Sequence, residues 1–198
     1  MNDTYFFVPT AKRVRLATLY ANDSTGRVVR APEGARGQGH YVEGPRQSFS
    51  GGAGIVSTAR DYGRFLQMIL NRGEIDGVRI LSPLMVDVMT SNQITVYNKP
   101  GTGFGLGFEI VEKLGADALA PVGSFGWGGA YGSNYQVDPA DRLVIVFMIN
   151  QLPLRHPTLK YTPWTSVHLH GSASLPSDDG YASDITYPGE YKDYRYPN

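Results

Sequence analysis

The spacing of apolar residues predicts a helix over residues 58–72. Thr58 and Asp61 form a start that resembles a capping box, and Gly73 ends the pattern. The apolar positions that recur at helical spacing are Tyr62, Phe65, Leu66, Ile69 and Leu70. Upstream, residues 26–54 are rich in Gly, Arg, Pro and Ser without periodicity, which indicates an extended connection.

A second helix is predicted from Ser82-Pro83 to about Ser91. Serine is a preferred capping residue, and proline is favoured at the first helical position. The expected apolar stripe consists of Leu84, Met85, Val88 and Met89.

After residue 103 the pattern changes to short strands, predicted at 105–111, 122–127, 133–137 and 143–149. Asp138-Pro139-Ala140-Asp141 is typical of a turn. Sequential strands with short connections predict an antiparallel meander. The fold class expected is therefore α+β, an antiparallel sheet with flanking helices.

The last predicted strand, 143–149, is apolar at every position, so both of its faces should be covered. The two helices can cover one face. The chain beyond Asn150 is poorly suited to cover the other, because prolines interrupt it and residues 171–198 are dominated by Ser, Asp, Gly, Pro and Tyr. We expect one domain over residues 1–150 and an atypical, weakly ordered tail over 151–198.

Composition removes several function classes. Of 198 residues 41% are hydrophobic, enough for one core, and 18 basic residues balance 18 acidic ones. This balance implies no nucleic-acid partner. No apolar stretch approaches the roughly 20 residues of a membrane-spanning helix, so no membrane insertion is expected. The absence of cysteine excludes disulfides and a thiol nucleophile, and the compartment stays open.

The stretch from Phe125 to Gly132 holds four glycines together with Trp127 and Tyr131. Glycine permits close approach of a ligand, exposed backbone N–H groups can hold a developing negative charge, and the two aromatic rings could form a wall. On composition alone, the alternative is a glycine-rich bulge with core aromatics.

The four histidines suggest no metal or cofactor. His168 and His170 would share one face of a strand, but no third ligand lies nearby in the sequence. His40 is expected at the surface of the glycine-rich connection. We predict that the chain binds no metal and needs no cofactor.

Several segments of the chain carry motifs that occur together in one known superfamily. In the first, Gly51-Gly52-Ala53-Gly54 leads into Ser57-Thr58-Ala59-Arg60-Asp61-Tyr62. The others are Met1-Asn2-Asp3-Thr4, Phe7-Val8-Pro9, Gly105-Leu106-Gly107-Phe108, Trp127-Gly128-Gly129 and Val137-Asp138-Pro139. In their order and spacing these segments resemble the superfamily of class C β-lactamases, family VIII esterases and penicillin-binding proteins. Trp127-Gly128-Gly129 takes the place of the third motif, which is K-T-G in penicillin-recognising enzymes. The resemblance covers about residues 1–150 and implies part of a β-lactamase/transpeptidase-like fold.

The resemblance implies an acyl-enzyme mechanism on an ester or lactam carbonyl. Ala130 would contribute its backbone N–H to the oxyanion hole, while Trp127, Gly128, Gly129 and Tyr131 would line the substrate. The nucleophile motif S-x-x-K is absent, and Tyr131-Gly132-Ser133-Asn134, which follows the third motif, has one residue too many for the Y-x-N motif. By analogy, both are expected in a stretch preceding Met1.

Three hypotheses follow. The first is the C-terminal portion of a serine hydrolase, inactive alone, whose small-molecule ester or lactam substrate binds once an N-terminal half completes the site. The second is a noncatalytic module in which Trp127 and Tyr131 stack on a sugar or peptide. The third is one chain of a split enzyme. Under the first hypothesis, the sheet without its preceding half should expose an unpaired edge and an uncovered apolar face.

Overall fold

A five-stranded antiparallel sheet with a helix packed against it forms the centre of the computed structural model. The structure describes residues 1–31, 49, 54–94, 97, 99–117 and 119–152. A 3₁₀ helix occupies Thr10–Arg15. The α-helices are α1 (Ala59–Leu70) and α2 (Pro83–Met89). The strands are β1 (Tyr20–Asn22), β2 (Val28–Arg30), β3 (Glu74–Ile75), β4 (Val78–Arg79), β5 (Thr102–Phe104), β6 (Glu109–Val111), β7 (Phe125–Gly128), β8 (Asn134–Asp138), β9 (Leu143–Phe147) and β10 (Gln151–Leu152).

The predicted meander is confirmed, with the strand order β5-β6-β7-β8-β9 and every neighbouring pair antiparallel. The turn between β8 and β9 is also confirmed, because Asp138 Oδ1 accepts the backbone N–H of Ala140 at 2.8 Å. The mixed helices and antiparallel sheets establish the α+β class.

The single strand predicted over 105–111 is wrong. The chain instead forms the β5–β6 hairpin, with the turn at 105–108 and Gly105 N–H bonded to the Phe108 carbonyl at 2.8 Å. Gly107 has φ of +95°, a conformation that favours glycine and does not continue a strand. The alternating glycines are therefore turn residues.

Helix α1 has the predicted start and end. The Thr58 side chain accepts the N–H of Asp61 at 3.2 Å. At the other end, Gly73 N–H bonds to the Met68 carbonyl and Arg72 N–H to that of Ile69, each at 2.8 Å. Arg72 has φ of +58°, so the helix ends in a Schellman motif whose left-handed residue is an arginine.

Helix α2 begins as predicted, with Ser82 accepting the N–H of Met85 and proline in its first turn. It ends at Met89, and the predicted stripe is only partly correct. Val86 is the residue buried in the core, while Leu84 and Met85 are exposed. The helix is only seven residues long and rests on the core through one side, so spacing alone did not identify that side.

The core lies between α1 and one face of the sheet. Its buried members are Leu66, Met68, Ile69, Leu70, Val86, Phe108, Ile110, Phe125 and Val137. Val144 and Val146 of β9 pack against this cluster, while Leu143 and Ile145 pack against Val111 and Ala120. Both faces of β9 thus have apolar contacts, although each of its residues remains half-buried.

The N-terminal motif is held against the start of α1. Asp3 N–H and the Thr4 hydroxyl both donate to Asp61 Oδ2, at 2.8 and 3.0 Å. The Thr4 and Ser57 hydroxyls lie 2.8 Å apart. Two of the segments that carry the family resemblance therefore stabilise the fold by contacting each other.

A second sheet, of order β10-β1-β2, was not anticipated. Here β10 pairs with β1 in parallel, and β2 lies within the segment predicted as an extended connection. Residues 32–48, 50–53 and 153–198 lie outside the described residues, so the predicted connection is described only in part. The predicted tail can be followed only at β10.

Candidate functional site

The third motif lies on β7 and the turn that follows it. Phe125 is buried in the core, and Gly126 is required by its surroundings. A Cβ atom at Gly126 would lie 2.3 Å from the Tyr135 carbonyl oxygen of β8. The β7–β8 pairing thus fixes the strand that leads to the motif.

Gly128 and Gly129 differ from Gly126 because the fold does not require them to be glycine. An added Cβ would meet its nearest atoms at 3.4 Å for Gly128 and at 3.7 Å for Gly129, which are ordinary contact distances. Both residues are exposed. The backbone at these positions is therefore open to approach from solvent.

A tight turn places Ala130 at the end of β7. Gly132 N–H bonds to the Gly129 carbonyl at 3.0 Å, and Gly129 N–H to that of Ser133 at 2.7 Å. Gln151 N–H donates to the Tyr131 carbonyl at 2.9 Å, which joins the turn to β10. Ala130 is exposed, and within the described residues no hydrogen bond uses its N–H.

Trp127 is 44% exposed and stacks edge to face on Phe104, with the ring centroids 4.8 Å apart and an interplanar angle of 81°. Phe104 in turn lies 5.8 Å from the ring of Tyr97. Tyr131 is half-buried beside the motif. The structure thus places all five predicted site residues on one strand and turn, and adds two aromatic residues from earlier in the chain.

A group of charged residues beside β7 was missed by the sequence reasoning. Lys99 Nζ lies 2.6 Å from Glu109 Oε1 and 2.9 Å from Asp117 Oδ1. Tyr97 donates to Glu109 Oε2 at 2.7 Å. No local spacing connects these residues, and the pairing of Glu109 with Gly126 is what brings them to the site.

The electrostatics of this group follow from burial and hydrogen bonding. Burial, together with the hydrogen bond to Glu109, raises the pKa of Tyr97 to about 12. Burial of the ammonium opposes its charge, but hydrogen bonds to Glu109 and Asp117 outweigh this and raise the pKa of Lys99. The tyrosine is therefore a neutral donor and the lysine a cation at neutral pH.

The other tyrosine pair belongs to the core. The rings of Tyr62 and Tyr135 lie 4.9 Å apart, and burial raises the pKa of both phenols. A phenol with a raised pKa is a poor general base at neutral pH. These two residues pack α1 against the sheet.

Three serines of the described residues have hydrogen-bond partners within the fold. Ser57 bonds to Thr4, the Ser91 hydroxyl donates to the Val88 carbonyl at 3.3 Å, and the Ser133 hydroxyl donates to the Ile149 carbonyl at 3.3 Å. None of these three serines is bonded to a lysine or a histidine in the described residues.

Metal binding finds no support in the part of the chain that the structure describes, where no group of three or more His, Asp or Glu residues could hold an ion. His40, His168 and His170 lie outside it. In the same part, no helix is long and apolar enough to cross a membrane.

The sequence matches the beta-lactamase family over residues 1–163. The chain belongs to this family. Protein Rv1367c of Mycobacterium tuberculosis is 35% identical over 172 residues, which cover 77% of this chain and 40% of that protein. The chain therefore spans less than half the length of this relative.

Two solved structures resemble the fold of this beta-lactamase family chain. EstCE1, described as a hydrolase with promiscuous acyltransferase activity, is 25% identical, with a TM-score of 0.60 over 75% of this chain and 42% of EstCE1. Simvastatin synthase (LovD) from Aspergillus terreus is 21% identical, with a TM-score of 0.63 over 82% of this chain and 44% of LovD, and shows the fold alone.

A short match of another kind is to bilirubin oxidase of Albifimbria verrucaria, 67% identical over 33 residues. It covers 17% of this chain and 6% of the oxidase, so it assigns no oxidase domain to the chain.

Proposed function

We propose that this chain forms the third-motif side of a serine hydrolase site for esters or β-lactam-like amides. The nucleophilic serine and its lysine come from residues outside these 198. The observation that carries the proposal is the exposed Ala130 at the end of β7, whose N–H bonds to no other described residue. It follows two exposed glycines that the fold does not require to be glycine.

Each motif residue has a physical role in this proposal. The Ala130 N–H donates to the substrate carbonyl oxygen as that oxygen becomes an oxyanion. Gly128 and Gly129 let the substrate lie against the strand, and Trp127 and Tyr131 border it. The second oxyanion donor is the N–H of the nucleophilic serine, so this chain supplies half of the hole.

The relatives support the reaction class without identifying a substrate. EstCE1 is a hydrolase with acyltransferase activity, and both reactions fit transfer of an acyl group from a serine. Without S-x-x-K the chain alone should give no turnover, because the groups of such sites act as a unit.

The experiment combines the purified chain with a second polypeptide that carries S-x-x-K and Y-x-N from a family member. Hydrolysis of a nitrophenyl ester and of a chromogenic cephalosporin is measured for each polypeptide alone and for the mixture. We expect turnover from the mixture only, and its loss when the motif serine is changed to alanine.

A Gly128→Val variant of this chain tests its own contribution. The added side chain should lower kcat/KM of the mixture by roughly tenfold or more, because it occupies the surface on which the substrate lies. Saturable turnover by the 198-residue chain alone, or a mixture indifferent to Gly128→Val, would contradict the proposal.

The noncatalytic binding module remains a second candidate, favoured by the exposed, stacked ring of Trp127. Ligand binding by the chain without turnover in any mixture would support it over the hydrolase.

A further inference from the structure

Three aromatic rings lead from the segment before β5 to the end of β7. We call Tyr97, Phe104 and Trp127 the aromatic row. Its ring centroids are 5.8 Å apart between Tyr97 and Phe104 and 4.8 Å apart between Phe104 and Trp127. Trp127 remains 44% exposed, so the row ends in an open ring beside the proposed substrate strand.

The charged residues next to the row carry an excess of negative charge. Lys99 is one cation, and its ammonium contacts the two carboxylates of Glu109 and Asp117. Gln136 Nε2 also donates to Asp117 Oδ2, at 3.4 Å. The formal charge of this carboxylate cluster (Lys99, Glu109 and Asp117) is minus one.

The cluster and the row are adjacent. Glu109 lies opposite Phe104 on β5, and its Oε2 accepts a hydrogen bond from the Tyr97 hydroxyl at 2.7 Å, so the cluster contacts the Tyr97 end of the row.

Resting on the proposed function, we infer that the aromatic row binds an uncharged aryl or alkyl part of an ester substrate. The carboxylate cluster disfavours substrates that carry a carboxylate on this side. An apolar group gains contact with the exposed face of Trp127, whereas a carboxylate would meet a net negative charge without a free cation from Lys99.

The test is equilibrium binding to the chain, which needs no nucleophile. The sequence has two tryptophans, so in a Trp164→Phe background Trp127 is the only tryptophan, and its selectively excited fluorescence reports binding. The probes are methyl phenylacetate and phenylacetate, which share a ring and differ in charge. At low salt, we expect the neutral ester to bind at least about tenfold more tightly than phenylacetate. Added salt should reduce this difference in affinity, because it screens the repulsion between charges.

Two variants separate the row from the cluster. Phe104→Leu should weaken binding of the ester by roughly fivefold, because it removes the ring that supports Trp127. Asp117→Asn keeps an oxygen for Lys99 but removes one charge, so phenylacetate should bind about threefold more tightly and the ester should be unaffected. The controls are Tyr20→Leu, an exposed ring on β1, and Glu112→Gln, an exposed acid.

Equal affinity for the two probes in the reference protein, or no effect of Asp117→Asn on the anion, would overturn the inference. If circular dichroism shows that Phe104→Leu is unfolded, the inference is decided by the comparison of the two probes, its salt dependence and the Asp117→Asn variant. Turnover of esters by the mixture, without a preference of the chain for the neutral probe, would overturn this inference but not the proposed function. Selective binding of the neutral probe, without turnover by any mixture, would overturn the proposed hydrolase function but support the binding role of the aromatic row.

Discussion

At the residue scale, Gly126, which precedes the third motif, and Gly128, which lies in it, have different structural roles. Gly126 allows β7 to approach β8, since a Cβ there would lie 2.3 Å from the Tyr135 carbonyl oxygen and overlap with it. Gly128 has room for a methyl group, with its nearest neighbour at 3.4 Å. Both positions look alike in the sequence, and only the neighbouring strand distinguishes them.

This difference predicts opposite stability effects. Gly126→Ala should destabilise the chain by about 1–3 kcal/mol, because the methyl group forces the two strands apart. Gly128→Ala should change stability by no more than about 0.5 kcal/mol. Urea unfolding followed by circular dichroism measures both. Equal losses of stability in the two variants would show that Gly128, like Gly126, is required by the fold.

At the scale of elements, Asp61 joins the N-terminal segment to α1. Its carboxylate accepts hydrogen bonds from the Asp3 backbone and the Thr4 hydroxyl, and the side chain belongs to a residue only 8% exposed. The hydrogen bond from the Asp3 N–H, with that from Thr4, lowers the pKa of Asp61 below its ordinary value of 3.8. The folded chain therefore favours the ionised form.

A pH dependence of stability follows from that direction. The pKa of Asp61 is lower in the folded chain than in the unfolded chain. Its contribution to stability is therefore complete at a pH above the pKa of the unfolded chain, and it is lost as the pH falls through the pKa of the folded chain. We expect the urea midpoint to fall between pH 6 and pH 3, and to fall less in Asp61→Asn. Glu112→Gln, at an exposed position, is the control and should retain the full decline.

At the scale of the whole molecule, the three-stranded sheet has an exposed edge. In β2, Val28 is 58% exposed and Val29 is 40% exposed, and β2 is the outer strand of its sheet among the described residues. Exposed apolar edge strands pair readily with other chains. This strand belongs to the second sheet, so the exposed edge and apolar face expected for the meander stay a prediction.

We therefore predict that the purified chain self-associates as its concentration rises. Val29→Lys should shift the sedimentation coefficient toward the monomer, because a charge on the edge opposes strand pairing. Val14→Lys, on the 3₁₀ helix at 87% exposure, is the matched control and should leave association unchanged. A monomer at all concentrations, or equal effects of the two variants, would contradict the prediction.

The sequence by itself determined the elements whose signals are local. The start of α1 at Thr58, the start of α2 at Ser82 and the turn at Asp138 follow from side chains that bond to backbone groups two or three residues away. The order of the meander follows from short connections, and the family from motifs read in sequence. The hairpin turn at 105–108, inside the strand predicted over 105–111, was not predicted, because alternating glycines are compatible with both a strand and a turn.

Tertiary structure alone decided what depends on contacts between distant segments. The parallel pairing of β10 with β1 joins residues about 130 positions apart, and no local pattern specifies such a pair. The same holds for the carboxylate cluster, where side chains from separate segments bring Lys99, Glu109 and Asp117 together, with Glu109 bonded to Tyr97. The motif at Trp127-Gly128-Gly129 could be located from the sequence. Its aromatic and electrostatic surroundings required the fold, because cross-strand register sets which side chains meet.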